Sequence, residues 1–91
     1  NPLPEESSSL FIIENMGFGT ITINGLRLKD KYIPFNKNLD TVQAVEYSLA
    51  NICQSDNQSF MGNVFYTDED RRFSSTEVTI YCNKTNVFDI E

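Results

Sequence analysis

The chain of 91 residues contains no histidine and no tryptophan, and only two cysteines, three prolines and four glycines. Without histidine it lacks the commonest general acid–base group and the commonest metal ligand of proteins. Nothing in it approaches the ~18 consecutive apolar residues of a membrane span, and there is no Cys-x-x-Cys spacing of the thioredoxin type. These absences argue against a metalloenzyme, a membrane-spanning protein and a redox enzyme, and we expect no cofactor and no metal.

Positive charge is also scarce, with 7 Lys and Arg against 13 Asp and Glu and a net charge of −6. Nucleic-acid binders depend on neutralising phosphates, so this balance makes nucleic acid a weak candidate partner. Four bases nevertheless cluster in residues 27–37 around two aromatic residues: Arg27, Lys29, Lys31 and Lys37, with Tyr32 and Phe35. The cluster either binds phosphate or an acidic partner, or it protects a sheet edge from unwanted strand pairing.

Both cysteines fall on predicted core faces, Cys53 at the end of an amphipathic stretch and Cys82 in the alternation Val78, Ile80, Cys82. We therefore predict a disulfide, which would stabilise the domain by about 3–4 kcal/mol if it introduces little strain. The alternative is two buried free thiols in a reducing compartment.

Two glycosylation sequons, at Asn57 and Asn83, combine with the cysteines to predict a secreted protein. The chain opens with Asn1-Pro2-Leu3-Pro4, as expected of a product whose signal peptide has been removed. Residues 1–9 are rich in Pro, Glu and Ser, which predicts a flexible segment before a single domain at residues 10–91.

Periodicity predicts the elements of this domain. Alternating apolar residues around Asn24-Gly25 predict a type I′ hairpin with Ile21, Ile23, Leu26 and Leu28 in the core. An apolar stripe, preceded by the capping-box-like pair Asp40 and Gln43, predicts a helix over residues 41–53. Residues 30–38 form a connection in this interpretation, and residues 10–14, 60–66, 74–82 and 87–90 form strands. The predicted class is α+β, a single helix packed on an antiparallel sheet.

The charged loop between the last two long strands contains Asp68, Glu69, Asp70, Arg71 and Arg72. It lacks the glycine and final glutamate of a calcium loop. The two arginines anchor an anion, form a cleavage site, or simply balance the neighbouring acids. With Glu77 as base they could also serve phosphoryl transfer on RNA, but a general acid is missing.

Aromatic residues are numerous, with seven Phe and four Tyr. Phe18, Phe65 and Tyr81 fall on faces opposite the predicted core stripes. A tyrosine on the outer face of a strand is typical of cross-strand packing. A group of such rings beside charged loops would instead form a protein-binding surface.

Three stretches, TITINGLRL, VQAVEYSLANIC and STEVTIYC, give residues 18–90 an order of elements that resembles the small guanyl-specific fungal ribonucleases. More particularly, the chain resembles the ribonuclease-like secreted effectors of powdery mildew fungi. It departs from them at Ile21-Thr22-Ile23, where those effectors have an aromatic-x-Cys, and by placing its cysteine at the helix end. The resemblance implies a ribonuclease-like scaffold and a non-enzymatic virulence protein that acts inside plant cells and is recognised by an immune receptor.

We therefore predict a secreted, non-catalytic binding protein, a fungal effector that recognises a host protein or is recognised by a plant immune receptor. It would be secreted and then delivered into the host cytoplasm, with no membrane association. The alternatives are a degenerate or weakly active ribonuclease that uses Glu77 and Arg72, and a secreted inhibitor that inserts the 67–73 loop into an enzyme cleft. The candidate binding residues are Arg27, Lys29, Lys31, Tyr32, Asp68, Arg71 and Arg72, and no residue is predicted to be catalytic.

Overall fold

The structure of the chain, a computed structural model, describes residues 9–55 and 58–91. Within these residues it contains seven strands and no helix. The strands are β1 (Leu10–Asn15), β2 (Ile21–Leu28), β3 (Lys31–Leu39), β4 (Ala44–Ser48), β5 (Ser59–Thr67), β6 (Phe73–Tyr81) and β7 (Asn86–Ile90). The predicted α+β class, with its helix and ribonuclease-like scaffold, is therefore wrong, and the protein is all-β. The predicted sequon at Asn57 lies outside the described residues.

The strands form two sheets. The small sheet has the order β4-β1-β7, and the large sheet has the order β3-β2-β5-β6. All neighbours are antiparallel except β1 and β7, which are parallel. One cluster of buried side chains contains residues of both sheets, so the sheets pack face to face. Its largest members are Phe11, Ile13, Ile23, Leu26, Leu28, Leu39, Leu49, Val64 and Ile80.

The predicted helix over residues 41–53 is replaced by β4 and two turns. Its capping contact does form, because the N–H of Asp40 donates to the side chain of Gln43 over 2.8 Å. Val42, however, has a φ of 61°, which ends any helical geometry after one turn. The backbone then pairs with β1, with Val45 and Tyr47 turned partly towards the core. Long-range pairing thus outweighs a local apolar stripe.

The predicted hairpin at Asn24-Gly25 is also wrong, since both residues lie inside β2. The chain reverses instead at Lys29 and Asp30, between the paired residues Leu28 and Lys31. The four residues predicted to be in the core are nevertheless buried, at most 5% exposed: Ile21, Ile23, Leu26 and Leu28. The register shift between Ile23 and Gly25 keeps both pairs on the same face.

The predicted connection over residues 30–38 is a strand, β3, at the edge of the large sheet. Pro34 disfavours regular structure in general, but proline is tolerated on an edge strand. The strands predicted near the other positions are present with slightly different ends.

The predicted disulfide between Cys53 and Cys82 is confirmed, with 5.6 Å between the two Cα atoms. It joins the turn after β4 to the residue that follows β6, not a helix to a sheet. Ser9 lies beside it, where its hydroxyl donates to the carbonyl of Cys82 and its carbonyl accepts from the N–H of Leu49. This contact and the disulfide connect the small sheet to the end of β6.

Candidate functional site

The outer face of the large sheet carries a row of polar and aromatic side chains. Cross-strand register places Tyr32 of β3 beside Arg27 of β2, Arg27 beside Asn63 of β5, and Asn63 beside Glu77 of β6. The guanidinium of Arg27 donates to the side-chain oxygen of Asn63 over 2.8 Å. Two candidates from the sequence, Arg27 and Tyr32, are therefore neighbours on one surface.

Three aromatic rings cross the same face. The ring centroids of Tyr32 and Phe65 lie 5.9 Å apart, and those of Phe65 and Phe73 lie 6.1 Å apart with nearly parallel planes. Tyr32 is 54% exposed and Phe73 65% exposed. We call this surface, made of Tyr32, Phe65, Phe73 and Arg27, the aromatic face. The aromatic face presents rings to solvent, and aromatic residues are enriched at the centres of protein interfaces.

Gly25 allows the ring of Tyr32 to lie across the sheet. A Cβ atom at residue 25 would stand 2.3 Å from the hydroxyl oxygen of Tyr32 and 2.6 Å from its ring carbon Cζ. Any larger residue would therefore push the ring away from Phe65. The pair Asn24-Gly25, which suggested a turn from the sequence, serves here as space beneath an aromatic ring.

Lys29 and Lys31 lie at one end of the large sheet, in and after the β2–β3 turn. Lys29 has a φ of 58° and its ammonium group lies 5.2 Å from the ring centroid of Phe60. It also lies 3.5 Å from the carbonyl oxygen of Ile52. Lys29 is thus partly occupied in holding the turn after β4 against the large sheet.

The loop with Asp68, Arg71 and Arg72 lies at the opposite end of the large sheet. Thr22 of β2 pairs with Thr67, whereas Leu28 pairs with Gly62, so the two ends are roughly 20 Å apart along the strands. The carboxylate of Asp68 accepts from the N–H groups of Asp70 and Arg72, each over 2.9 Å. Asp68 therefore shapes the turn, and both arginines are exposed.

The seven candidate residues are consequently not one site. Arg27 and Tyr32 come together on the outer face, Lys29 and Lys31 lie at one end of the large sheet, and Asp68, Arg71 and Arg72 share the loop at the other end. The ribonuclease constellation is not assembled either, because Glu77 lies in mid-strand, roughly 17 Å along β6 from Arg72. Across the sheet, Glu77 is in register with Asn63 of β5, and Asn63 is in register with Arg27 of β2.

A cleft of about 260 Å³ opens beside the charged loop. Acidic groups line much of it, including Glu69, Asp70 and Glu91, and Phe18 at its rim is fully exposed. Among the residues that the structure describes, no group of three or more His, Cys, Asp or Glu side chains is placed to hold a metal ion. In the same residues no helix is long and apolar enough to cross a membrane.

The small sheet carries a pair of carboxyl groups on its outer face. Glu14 of β1 and Asp89 of β7 are register partners. The pKa of Glu14 is raised above its ordinary value of 4.5, first by a hydrogen bond shared with Asp89, then by partial desolvation and by the like charge of Asp89. The pair has no arginine or lysine among its strand neighbours Ala44 and Asn15.

Sequence reasoning missed Phe73 and Asn63 as surface residues. The sequence pattern starts a strand at residue 74, whereas β6 begins at Phe73 itself. The alternation of Phe73, Ser75, Glu77, Thr79 and Tyr81 contains the signal, since all five are exposed. Phe65 and Tyr81, both expected on the outer face, lie there.

No protein-family model matches this chain, and no curated protein or solved structure shows a significant match to it.

Proposed function

We propose that this chain is a secreted, non-catalytic binding domain that recognises a partner protein through its aromatic face. The observation that carries the proposal is the row of Tyr32, Phe65 and Phe73 on the solvent side of the large sheet. A few residues dominate the binding energy of protein interfaces and are enriched in Tyr, Trp and Arg, and Phe is also enriched in interfaces. A net charge of −6 makes a protein a better partner than a nucleic acid for these rings.

Secretion is part of this proposal. A disulfide is typical of proteins that fold in an oxidising compartment. Asn83, the acceptor of the second sequon, is exposed in the turn between β6 and β7, where a glycan would be accommodated. We predict that the partner is a host protein, such as a plant immune receptor, and that the chain is a fungal effector.

Capture from plant leaf tissue, with the extracellular fluid and the cell lysate assayed separately, tests the proposal with matched variants. Tyr32→Ser removes a ring from the aromatic face, and Phe18→Ser removes a fully exposed ring from a different surface. We expect a protein that binds the original chain and Phe18→Ser but not Tyr32→Ser. With that protein purified, Tyr32→Ser should weaken affinity at least about tenfold.

Gly25→Ala provides a second test, because it keeps the Tyr32 ring but displaces it. Gly25→Ala should weaken binding of the same partner protein. The free energy of unfolding should change little, since the ring can swing outwards. Equal affinity in Tyr32→Ser, Gly25→Ala and Phe18→Ser would overturn the proposal. So would Tyr32-dependent binding or cleavage of labelled single-stranded RNA, which would favour the ribonuclease alternative.

A further inference from the structure

The outer edge of β6 has backbone groups with no partner in the described residues. The bonds that flank the β5–β6 ladder join Cys82 N–H to Gln58 and Asp68 N–H to Arg72. Because hydrogen-bonded pairs alternate in an antiparallel ladder, the even-numbered residues of β6 face β5. The odd-numbered residues therefore direct their N–H and C=O groups to the open edge.

One end of this edge is closed by a side chain. The amide group of Asn86 accepts from the N–H of Tyr81 over 3.0 Å and donates to its carbonyl over 2.9 Å. The open edge thus contains Phe73, Ser75, Glu77 and Thr79, and its midpoint is Thr76. Nothing in the described residues pairs with these four along the edge.

The residues of β6 do little to prevent strand pairing. Edge strands are usually protected by lysine, proline or a bulge. β6 has none of these: its nine pairs with β5 run without a register shift, and Glu77 is its only charged residue. A groove of about 300 Å³ beside Val78 and Tyr81 provides space along the strand.

We propose that β6 pairs with β6 of a second copy of this chain, antiparallel and centred on Thr76. In this register Phe73 faces the partner's Thr79, and Ser75 faces the partner's Glu77. The two free segments coincide over their full length, and about eight backbone hydrogen bonds form. The glutamates do not face each other, which they would in a register centred on Glu77.

The same register accounts for two exposed rings. Phe73 is 65% exposed and Tyr81 43% exposed, at opposite ends of β6. In the pair, each Phe73 lies diagonal to the partner's Tyr81, within reach of aromatic side chains. The proposal does not depend on the function proposed above, although it would place two aromatic faces on one continuous sheet.

Sedimentation equilibrium of the full chain over about three decades of concentration tests the proposal. The average mass should rise from 10.4 kDa towards twice that value. Ser75→Glu sets two glutamates opposite each other and should weaken association at least about tenfold. Adding Glu77→Lys to Ser75→Glu should restore it, because each introduced carboxylate then faces a lysine of the other copy.

Two further variants serve as controls. Ser48→Glu adds the same charge on β4 and should associate like the original chain. Ser75→Pro removes an edge N–H without touching the β5 ladder and should be monomeric, with an unchanged circular dichroism spectrum. A chain that stays monomeric throughout, or a Ser75→Glu variant that associates normally, would overturn the proposal. Failure of Glu77→Lys to rescue Ser75→Glu would overturn the register.

Discussion

The two edges of the large sheet, β3 and β6, are both nine residues long but differ in how they meet solvent. β3 contains Pro34, which has no N–H to offer, and Asn36 with a φ of 54°, next to a register shift. It also carries Lys31 and Lys37. β6 is regular throughout. The difference indicates that β3 is protected against pairing, whereas β6 is available for it.

Each edge ends at a buried asparagine. Asn15, 1% exposed, donates to the carbonyls of Gly19 and Leu39 and so holds the end of β3. Asn86, 7% exposed, bonds both backbone groups of Tyr81 at the end of β6. Only the β6 end has a covalent connection as well, through Cys82. Four sets of variants test these differences.

The largest effect should follow loss of the covalent connection at β6. Replacing Cys53 and Cys82 together by serine should lower the unfolding free energy by about 3–4 kcal/mol, because the unfolded chain gains the entropy of an open loop. Urea unfolding of the double variant, compared with the original chain under non-reducing conditions, measures it. Equal unfolding midpoints would show that the disulfide adds nothing to the β6 end.

The second largest effect is the loss of stability on replacing Asn15, which should exceed the loss on replacing Asn86. Asn15→Ala leaves the buried carbonyl of Leu39 and two partly buried groups, the carbonyl of Gly19 and the N–H of Gly17, without partners and should cost about 2–3 kcal/mol. Asn86→Ala should cost less, since water can reach Tyr81 at the open edge. Denaturant unfolding of both variants checks the order, with exposed Asn38→Ala as a control expected within about 0.5 kcal/mol. The reverse order would contradict the description of the β6 edge as open.

A third effect is stabilising and concerns the loops that follow β3 and precede β6. Val42 and Arg71 have φ values of 61° and 66°. Val42 is β-branched and 74% exposed, so Val42→Gly relieves strain and loses little packing. We expect a gain of about 0.5–1 kcal/mol, after the entropic cost of glycine. Arg71→Gly should gain less; thermal unfolding of both checks this, and a destabilised Val42→Gly would show that its side chain packs usefully.

The smallest effect concerns Glu14 in the small sheet. The raised pKa of Glu14 means that the folded protein holds this proton more tightly than the unfolded chain does. Its contribution to stability is complete below the ordinary value of 4.5 and is lost as pH rises through the folded pKa. Glu14→Gln should lack this loss.

Unfolding free energies measured from about pH 4 to about pH 7 test the effect. Relative to Glu14→Gln, the original chain should become less stable with rising pH above 4.5. Glu46→Gln removes a carboxylate of the same sheet that is in register with Ile12 and not with Asp89, so it is the matched control for the loss of one carboxylate. A parallel pH profile for Glu14→Gln would contradict the assignment.

The sequence predicted what depends on alternation and failed where one stripe fits two structures. The burial of Ile21, Ile23, Leu26 and Leu28, and the disulfide, followed from side chains that must leave water. Residues 41–53 have an apolar stripe and a capping pair that fit a helix, although these residues form β4 and two turns. Their strand conformation depends on pairing with β1, a distant segment that no local pattern reveals.

The candidate site was predicted only in part for the same reason. Arg27 and Tyr32 were chosen from local charge and aromatic content, and a hairpin brings them together. Phe65 and Phe73 join them because β5 pairs with β2, and β6 pairs with β5, only in the folded sheet. The separation of Lys29 from Asp68 likewise follows from the antiparallel register of β2 and β5, in which Leu28 pairs with Gly62 and Thr22 with Thr67.

The parallel pairing of β1 with β7 has a consequence for how the chain reaches its fold. Asn86 donates to the carbonyl of Leu10, 76 positions earlier in the chain, so β1 and β7 meet only after the segments between them have been made. The β2–β3 and β5–β6 hairpins need only nearby residues and should form early. During synthesis, β4 is available to one edge of β1 before β7 is made, and the other edge of β1 is paired only after β7 has emerged. We therefore expect the small sheet to be completed after the β2–β3 and β5–β6 hairpins.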